Sequence, residues 1–284
     1  FDYLKTVNNK LLFYLSWSDF FIGLFTPVYY FRVYWMKHWN FDGGPFEKYS
    51  CLVIVAVANY PVSISTVIYL CISCERYIAI TKPFSYTAIF TDFNIKILMV
   101  CVLSYSAVGF ISCSYMNEWK PGICSFDAST YNSLAYNITV VAHGLILLTI
   151  ITLLYCKIFY IAWKSKRAVD HQQALHNLPQ DNIVKRVKRA DYKILKMVAT
   201  VYGMLLLFFA PFFLCGIISM FVGPSEGLNV VWTIFGLVYI SNSFMNALVY
   251  GWKSKEFRRA YLTLLCGSNR VGPFETSHAS NSTF

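Results

Sequence analysis

Six apolar stretches divide this chain, and each is long enough to cross a lipid bilayer as a helix. About 20 apolar residues are needed for a crossing, because a backbone in lipid must satisfy its hydrogen bonds within a helix or a closed barrel. Hydrophobic residues make up 57% of the 284 residues and charged residues only 13%, about half the charge of a soluble domain. The sequence therefore predicts an all-α integral membrane protein with spans at residues 11–31, 51–74, 95–114, 134–160, 197–222 and 228–250.

Positive charges gather in every second connection between these spans. They lie in "ERYIAITKPFSYTAIFTDFNIK" after the second span, in residues 164–196 after the fourth, and in residues 251–266 after the sixth. Because loops rich in Lys and Arg stay on the cytoplasmic side, we expect these segments and the C-terminus to be cytoplasmic. The net charge of +10 then reflects orientation in the membrane, and no nucleic-acid partner is predicted.

The same orientation predicts how many helices the bundle has. Lys5 and Lys10 are cytoplasmic on this topology, so we expect a further helix before Phe1 that completes seven crossings. Six helices of a seven-transmembrane bundle would then lie in this chain, within a membrane domain at residues 1–266. The polar residues 267–284 are expected to form a disordered cytoplasmic tail.

An acidic residue, Asp19, lies inside the first span, in "YLSWSDFFIGLF". A carboxylate within the membrane is costly, which makes it a candidate functional site. Further oxygen atoms are available from the second and last spans, where Ser65, Asn242, Ser243 and Asn246 lie. Since hard cations take oxygen ligands, one prediction is a sodium ion at Asp19 that acts as an allosteric modulator. The alternative is a carboxylate that only packs against these polar groups.

Glu75 and Arg76 lie side by side where the second span meets the cytoplasm. Taken alone, they form an interfacial ion pair that contributes little stability. Cys51 precedes Arg76 by about seven helical turns, so one helix would carry a cysteine at its outer end and the arginine at its inner end. Cys124 lies in an outer, oxidising loop, so we predict a Cys51–Cys124 disulfide, with two free thiols as the alternative.

Short motifs follow one another along the chain: "LSWSD" ending at Asp19, "HWNF" at 38–41, "ERY" at 75–77, "KPFSY" at 82–86, "FFAPFF" at 208–213 and "NALVY" at 246–250. In this order they resemble the conserved motifs of rhodopsin-like (class A) G protein-coupled receptors, including L-x-x-x-D, W-x-F, D/E-R-Y, C-W-x-P and N-P-x-x-Y. Each motif is weak alone, whereas the shared order and separations are specific. The resemblance covers essentially the whole chain.

The resemblance implies a switch at the inner ends of the helices. Arg76 would face the G protein and be held inactive by Glu75 and by Asp191 at the start of the sixth helix. Tyr155 and Tyr250 match two tyrosines that move inward on activation. The remaining implied residues are Tyr77 of the "ERY" motif, Pro83 and Phe84 of the second cytoplasmic loop, and Cys266, a candidate palmitoylation site that ends an amphipathic eighth helix.

The ligand pocket that the resemblance implies is apolar and aromatic with a few neutral polar groups. Ala58 stands where amine receptors carry an aspartate. Burying an ammonium group without a counter-charge is costly, so a biogenic amine is not expected. A neutral small molecule or the tip of a peptide suits such a site. The other residues predicted to line it are Asn59, Val62, His143, Phe209, Phe212 and Tyr239.

Some positions depart from the general family pattern. Ala247 replaces the usual proline of the seventh helix, and together with His143 it resembles melatonin receptors, so a melatonin-like ligand is an alternative. Phe209 replaces the usual tryptophan of the sixth helix, and Leu147 the usual proline of the fifth. The resemblance therefore defines the fold more closely than the steps of activation.

The sequence thus predicts a plasma-membrane receptor that binds an extracellular ligand and activates heterotrimeric G proteins. Membrane lipids and arrestin are expected as further partners. The sequence offers no nucleophile–base pair and no metal-binding constellation, so an enzyme is not expected. Two alternatives stay open: a truncated, non-signalling receptor homologue, and a six-helix transporter or channel.

Overall fold

A computed structural model describes residues 7–32, 44–115, 124, 133–176, 200, 202–218, 221–222, 225–253, 258 and 263. Helices account for nearly all of these residues. They are α1 (Val7–Tyr30), α2 (Pro45–Thr81), α3 (Pro83–Ile89), α4 (Asp92–Tyr115), α5 (Ser133–His176), α6 (Tyr202–Ile218) and α7 (Glu226–Lys253). Each predicted span falls on one of them, which confirms the all-helical membrane fold.

Five of the described helices, α1, α2, α4, α5 and α7, are long and apolar enough to cross a membrane. Only 17% to 44% of the residues in their apolar windows are buried inside the protein. Most of their surface therefore faces outward, as expected of helices whose solvent is lipid. The fifth predicted span coincides with α6, which is shorter because its flanking residues lie outside the described part of the chain.

Two helices extend well beyond the predicted spans. The second span, predicted at 51–74, is part of α2, which begins at Pro45 and ends at Thr81. Pro45 favours a helix start, because the first turn has no use for its missing N–H. The fourth span, predicted at 134–160, is part of α5, which continues to His176. Both extensions were predicted as loops because apolar length alone defined the spans, whereas a helix can continue into water after its apolar run ends.

The short helix α3 occupies a segment that was predicted only as a cytoplasmic loop. Lys82 leaves the helical conformation, with φ −134° and ψ 61°, and separates α2 from α3. Its N–H still donates to the Ile78 carbonyl, at 2.8 Å. Pro83 then opens α3 at a position that suits its fixed φ. This arrangement turns the chain sharply at the end of α2.

The core lies between α1, α2, α5 and α6. Its fully buried side chains have at most 2% of their surface exposed and are aliphatic, namely Leu11, Leu15, Ile68, Ile151, Ile158 and Leu205. At one end of the bundle, Tyr29 and Val140 pack around Cys51. At the other end, Lys10 of α1 pairs with Asp92 of α4. We name these the Cys51 end and the Arg76 end, since α2 runs between them.

Gly144 sets the approach of α5 to α6. A Cβ atom built on Gly144 would overlap the ring of Phe213. The Phe213 ring is buried and stacks on Phe209, with ring centroids 6.3 Å apart. The two helices therefore pack this closely only because residue 144 carries no side chain.

We expect Gly144→Ala to reduce the free energy of unfolding by about 1–3 kcal/mol, because the added methyl group must displace a packed ring. Gly109→Ala is a matched control on a helix, since a Cβ there would meet nothing within 4 Å. Thermal unfolding of the purified protein in detergent measures both. An equal midpoint for the two variants would contradict the close contact.

Candidate functional site

Glu75 is fully buried at the Arg76 end, with 0% of its surface exposed. Arg76 folds back onto it: Nε donates to Oε2 at 2.5 Å and a terminal guanidinium nitrogen donates to Oε1 at 2.8 Å. A paired geometry of this kind strengthens a charge-assisted contact. The structure thus replaces the weak interfacial pair considered from sequence with a buried, bidentate one.

Tyr86 of α3 completes this group, and sequence reasoning missed it. Its hydroxyl donates to the Oε1 atom of Glu75, which also accepts from Arg76. Burial, followed by the hydrogen bond to Glu75, raises the pKa of Tyr86 above its usual value, so the hydroxyl remains a donor at neutral pH. Tyr86 reaches α2 because residues 83–89 form a helix. The sequence predicted only a loop here, so it did not indicate which way the Tyr86 side chain points.

The other residues implied at the switch lie around this group in different environments. Phe84 is 98% exposed and Pro83 is exposed. Tyr77 packs against the hydrophobic core. Tyr155 is buried and stacks on Tyr202, with ring centroids 4.4 Å apart. The surface beside the ion pair is therefore aromatic and partly open.

Several predicted residues cannot be placed against this site. Asp191 and Cys266 lie outside the described residues, as does the tail at 267–284. Tyr250 is described only through its backbone, which belongs to α7. For the predicted eighth helix beyond α7, the description covers Arg258 and Thr263, both helical.

Asp19 forms the centre of a second polar cluster, halfway along α1. Its Oδ1 accepts from Ser65 at 3.2 Å and its Oδ2 accepts from Asn246 at 2.9 Å. These three residues come from α1, α2 and α7, and all are buried. The structure therefore brings together the helices that sequence reasoning linked through this carboxylate.

A small cavity of about 10 Å³ adjoins this cluster, close to the minimum that holds one water molecule. Ser65, Asn242 and Ser243 contribute polar groups to its lining. The Asn242 amide nitrogen donates to the Tyr69 hydroxyl at 2.8 Å. Its buried Oδ1 atom has no hydrogen-bond partner among the described residues. The cavity thus brings together an unpaired amide oxygen and two hydroxyl groups, one of which donates to Asp19, and such oxygen atoms fit a small hard cation.

Three of the predicted pocket residues line this cavity. Val62, Phe209 and Tyr239 line it together with the polar groups. Tyr239 packs against Phe209 and Phe212, with ring centroids 4.4 Å and 4.9 Å away. Trp232 extends the cluster at 5.6 Å from Phe212, although sequence reasoning did not select it. The floor of the predicted ligand pocket and the predicted ion site are thus one region.

Three other predicted pocket residues differ in their roles. Ala58 is buried, with 4% of its surface exposed. The Asn59 side chain donates to the Val55 carbonyl of its own helix, at 2.7 Å. His143 does not join the aromatic cluster: its Nδ1 lies 3.0 Å from the Tyr105 hydroxyl on α4, which is 51% exposed. His143 was expected in the pocket because melatonin receptors carry a histidine at the corresponding place on the fifth helix, and in the structure its ring lies against α4.

The Cys51 end is fastened covalently. Cys51 and Cys124 form a disulfide with Cα atoms 5.7 Å apart, which confirms the predicted pairing. One turn earlier on α2, buried Glu47 lies 3.9 Å from the buried guanidinium of Arg32. Sequence reasoning missed this second pair because its predicted span began at Cys51, so Glu47 counted as a loop residue.

A family model described as 7 transmembrane receptor (rhodopsin family) matches residues 2–250. G-protein coupled receptor 52 of Mus musculus is 25% identical over 77% of this chain and 62% of its own length. Trace amine-associated receptor 7b of Mus musculus is 26% identical, over 94% of this chain and 75% of that receptor. Tachykinin-like peptides receptor 86C of Drosophila melanogaster is 24% identical, over 93% of this chain and 53% of that receptor.

We expect Tyr86→Phe to lower the free energy of unfolding by about 1–2 kcal/mol, since it removes a hydrogen bond to a buried carboxylate. Tyr49→Phe is the control, because Tyr49 is 65% exposed. Thermal unfolding in detergent compares them. A loss no greater than that of the control would show that Tyr86 does not hold Glu75.

Proposed function

Because the chain belongs to the rhodopsin family of seven-transmembrane receptors, we propose that it transmits an extracellular signal to heterotrimeric G proteins by releasing Arg76 from Glu75. The observation that carries this proposal is the complete burial of Glu75 between two donors, Arg76 and Tyr86. The same family supports a receptor rather than an enzyme.

The proposed orientation places the Arg76 end in the cytoplasm. Two independent features support it. The segments between the spans that adjoin this end carry most of the Lys and Arg residues, and such segments stay inside. The opposite end carries the Cys51–Cys124 disulfide, a bond that persists in oxidising surroundings.

The buried ion pair suits a switch because breaking one partner away leaves an uncompensated charge. Arg76 therefore leaves Glu75 only when another group receives its guanidinium. In our proposal a bound G protein supplies that group, and Phe84, fully exposed on α3, inserts into the same partner. Arrestin would use the same surface. Asp191 is proposed as a second acid that holds Arg76 in the resting receptor.

The extracellular ligand would act by binding the released arrangement more tightly, which shifts an equilibrium that already exists. We propose that it lacks an ammonium group that must be neutralised in the pocket. Ala58, which stands where amine receptors carry an aspartate, is buried. The cavity in the bundle is lined by the uncharged side chains of Val62, Phe209 and Tyr239. The relatives bear the names of a peptide receptor and a trace amine receptor, so the ligand is a matter for direct screening.

We also propose that Asp19 holds a sodium ion in the resting receptor. The Asp19 carboxylate, the Ser65 and Ser243 hydroxyls and the unpaired Asn242 Oδ1 would supply its oxygen ligands. The ion would balance the buried carboxylate and link α1, α2 and α7. Through the shared cavity, its presence would be sensitive to the position of the aromatic rings.

The proposed switch predicts opposite effects on signalling for substitutions of Arg76 and Glu75. Arg76→Ala is expected to abolish receptor-stimulated nucleotide exchange on a purified G protein, because the guanidinium group that would bind the G protein is removed. Glu75→Gln should instead raise basal exchange several-fold, since a neutral amide holds a guanidinium less tightly. Exchange is measured with full-length receptor in nanodiscs.

Lys96→Gln is the control for that experiment, as an exposed lysine at the same end of the bundle. Cell-surface expression checks folding of each variant. Exchange that is unchanged in Arg76→Ala would contradict the proposed role of the ion pair.

The proposed sodium site predicts that sodium ions stabilise the receptor through Asp19. Thermal stability of the purified receptor should rise when sodium chloride replaces choline chloride at constant ionic strength, because only the folded state binds the ion. Asp19→Asn should abolish the difference between the two salts. A sodium-dependent shift that persists in Asp19→Asn would place the ion elsewhere.

A further inference from the structure

We propose that an anionic phospholipid binds a basic stripe on the lipid-facing side of α5, formed by Lys157, Tyr160, Lys164 and Arg167. All four side chains are exposed. The assignment to the inner leaflet rests on the orientation proposed above, whereas the binding itself does not depend on signalling. Neither the signalling switch nor the ligand pocket uses these residues.

The stripe lies on the side of α5 that faces away from its buried residues. Ile151, Tyr155 and Ile158 face the core, with at most 4% of their surface exposed. At about 100° per residue, Lys157 and Lys164 project on the far side of α5 from these three. The basic groups therefore point away from the other helices, into the surroundings of the bundle.

Lys157 places a positive charge within an apolar, lipid-facing part of α5. It lies within the apolar span Val140–Lys164, about 10 Å along the helix axis from Lys164. No hydrogen bond or ion pair to Lys157 or Lys164 is formed within the described part of the chain. A lysine at this depth must extend its ammonium group along the helix to reach an anion at the membrane surface.

Aromatic groups locate the membrane surface along the stripe. Tyr160 and Trp163 are 61% and 51% exposed, and exposed Tyr and Trp favour the level of the lipid headgroups. Arg167 lies over the Trp163 ring, 3.9 Å from its centroid, which holds the guanidinium beside the same level. The lysines and the arginine thus converge on one headgroup layer.

Charge complementarity argues for an anionic headgroup rather than a zwitterionic one. The segment from Ile151 to Arg167 contains three basic residues on this side and no acid. A zwitterionic headgroup brings its own cation close to these groups, whereas phosphatidylserine and the phosphoinositides carry net negative charge. Basic residues beside the cytoplasmic leaflet gain from that charge.

The test uses full-length receptor in phosphatidylcholine nanodiscs that contain either a photoactivatable phosphatidylserine or a photoactivatable phosphatidylcholine. Fragmentation of the intact protein in a mass spectrometer locates the label. We expect phosphatidylserine to label residues 157–167 preferentially. The double variant Lys157→Gln/Lys164→Gln should reduce that preference by about 30-fold, the loss expected for two cations beside the membrane.

Two variants serve as controls. Lys157→Arg/Lys164→Arg should retain the preference, because the charge remains, and Lys96→Gln on α4 should leave it unchanged. Equal labelling by the two lipids, or a preference that survives the Gln double variant, would overturn the proposal. Competition by inorganic phosphate at constant ionic strength would assign the site to a free anion instead of a lipid. Nucleotide exchange is not measured, so this outcome is independent of the signalling proposal.

Discussion

A backbone in lipid satisfies its hydrogen bonds only within its own helix, and the rest of this structure depends on that constraint. Once the backbone is satisfied, the polar side chains left in the bundle must find partners on other helices or on the same helix. Asp19 does so through Ser65 and Asn246, and Glu75 through Arg76 and Tyr86. Both clusters therefore join side chains from neighbouring helices of the bundle.

The Asp19 cluster occupies the middle of that arrangement. It borders the same cavity as Phe209 and Tyr239, while Asn242 joins it to Tyr69 on α2. Tyr69 in turn contacts the Phe209 ring, with centroids 6.3 Å apart. The aromatic rings and the polar partners of Asp19 thus line one cavity.

The sequence predicted those parts of the molecule that depend on the length of the apolar runs and on the separation of residues along the chain. The apolar spans, the Cys51–Cys124 disulfide and the polar residues around Asp19 all belong to this class. The missed parts depend on local backbone direction. Tyr86 reaches Glu75 only because Pro83 starts a helix after Lys82. A sequence motif does not contain this information, because a shift of one residue in the helix start would turn the same side chains in another direction.

The length of α2 has a mechanical consequence. This helix runs from Pro45 to Thr81, about 55 Å at 1.5 Å per residue, and the disulfide tethers it near its first turns. When a helix is held at one end, a tilt about that end displaces each residue in proportion to its distance from it. Arg76 lies 25 residues beyond Cys51, about 38 Å along the helix axis, so any tilt of α2 about the disulfide would displace Arg76 far more than the residues packed around Cys51.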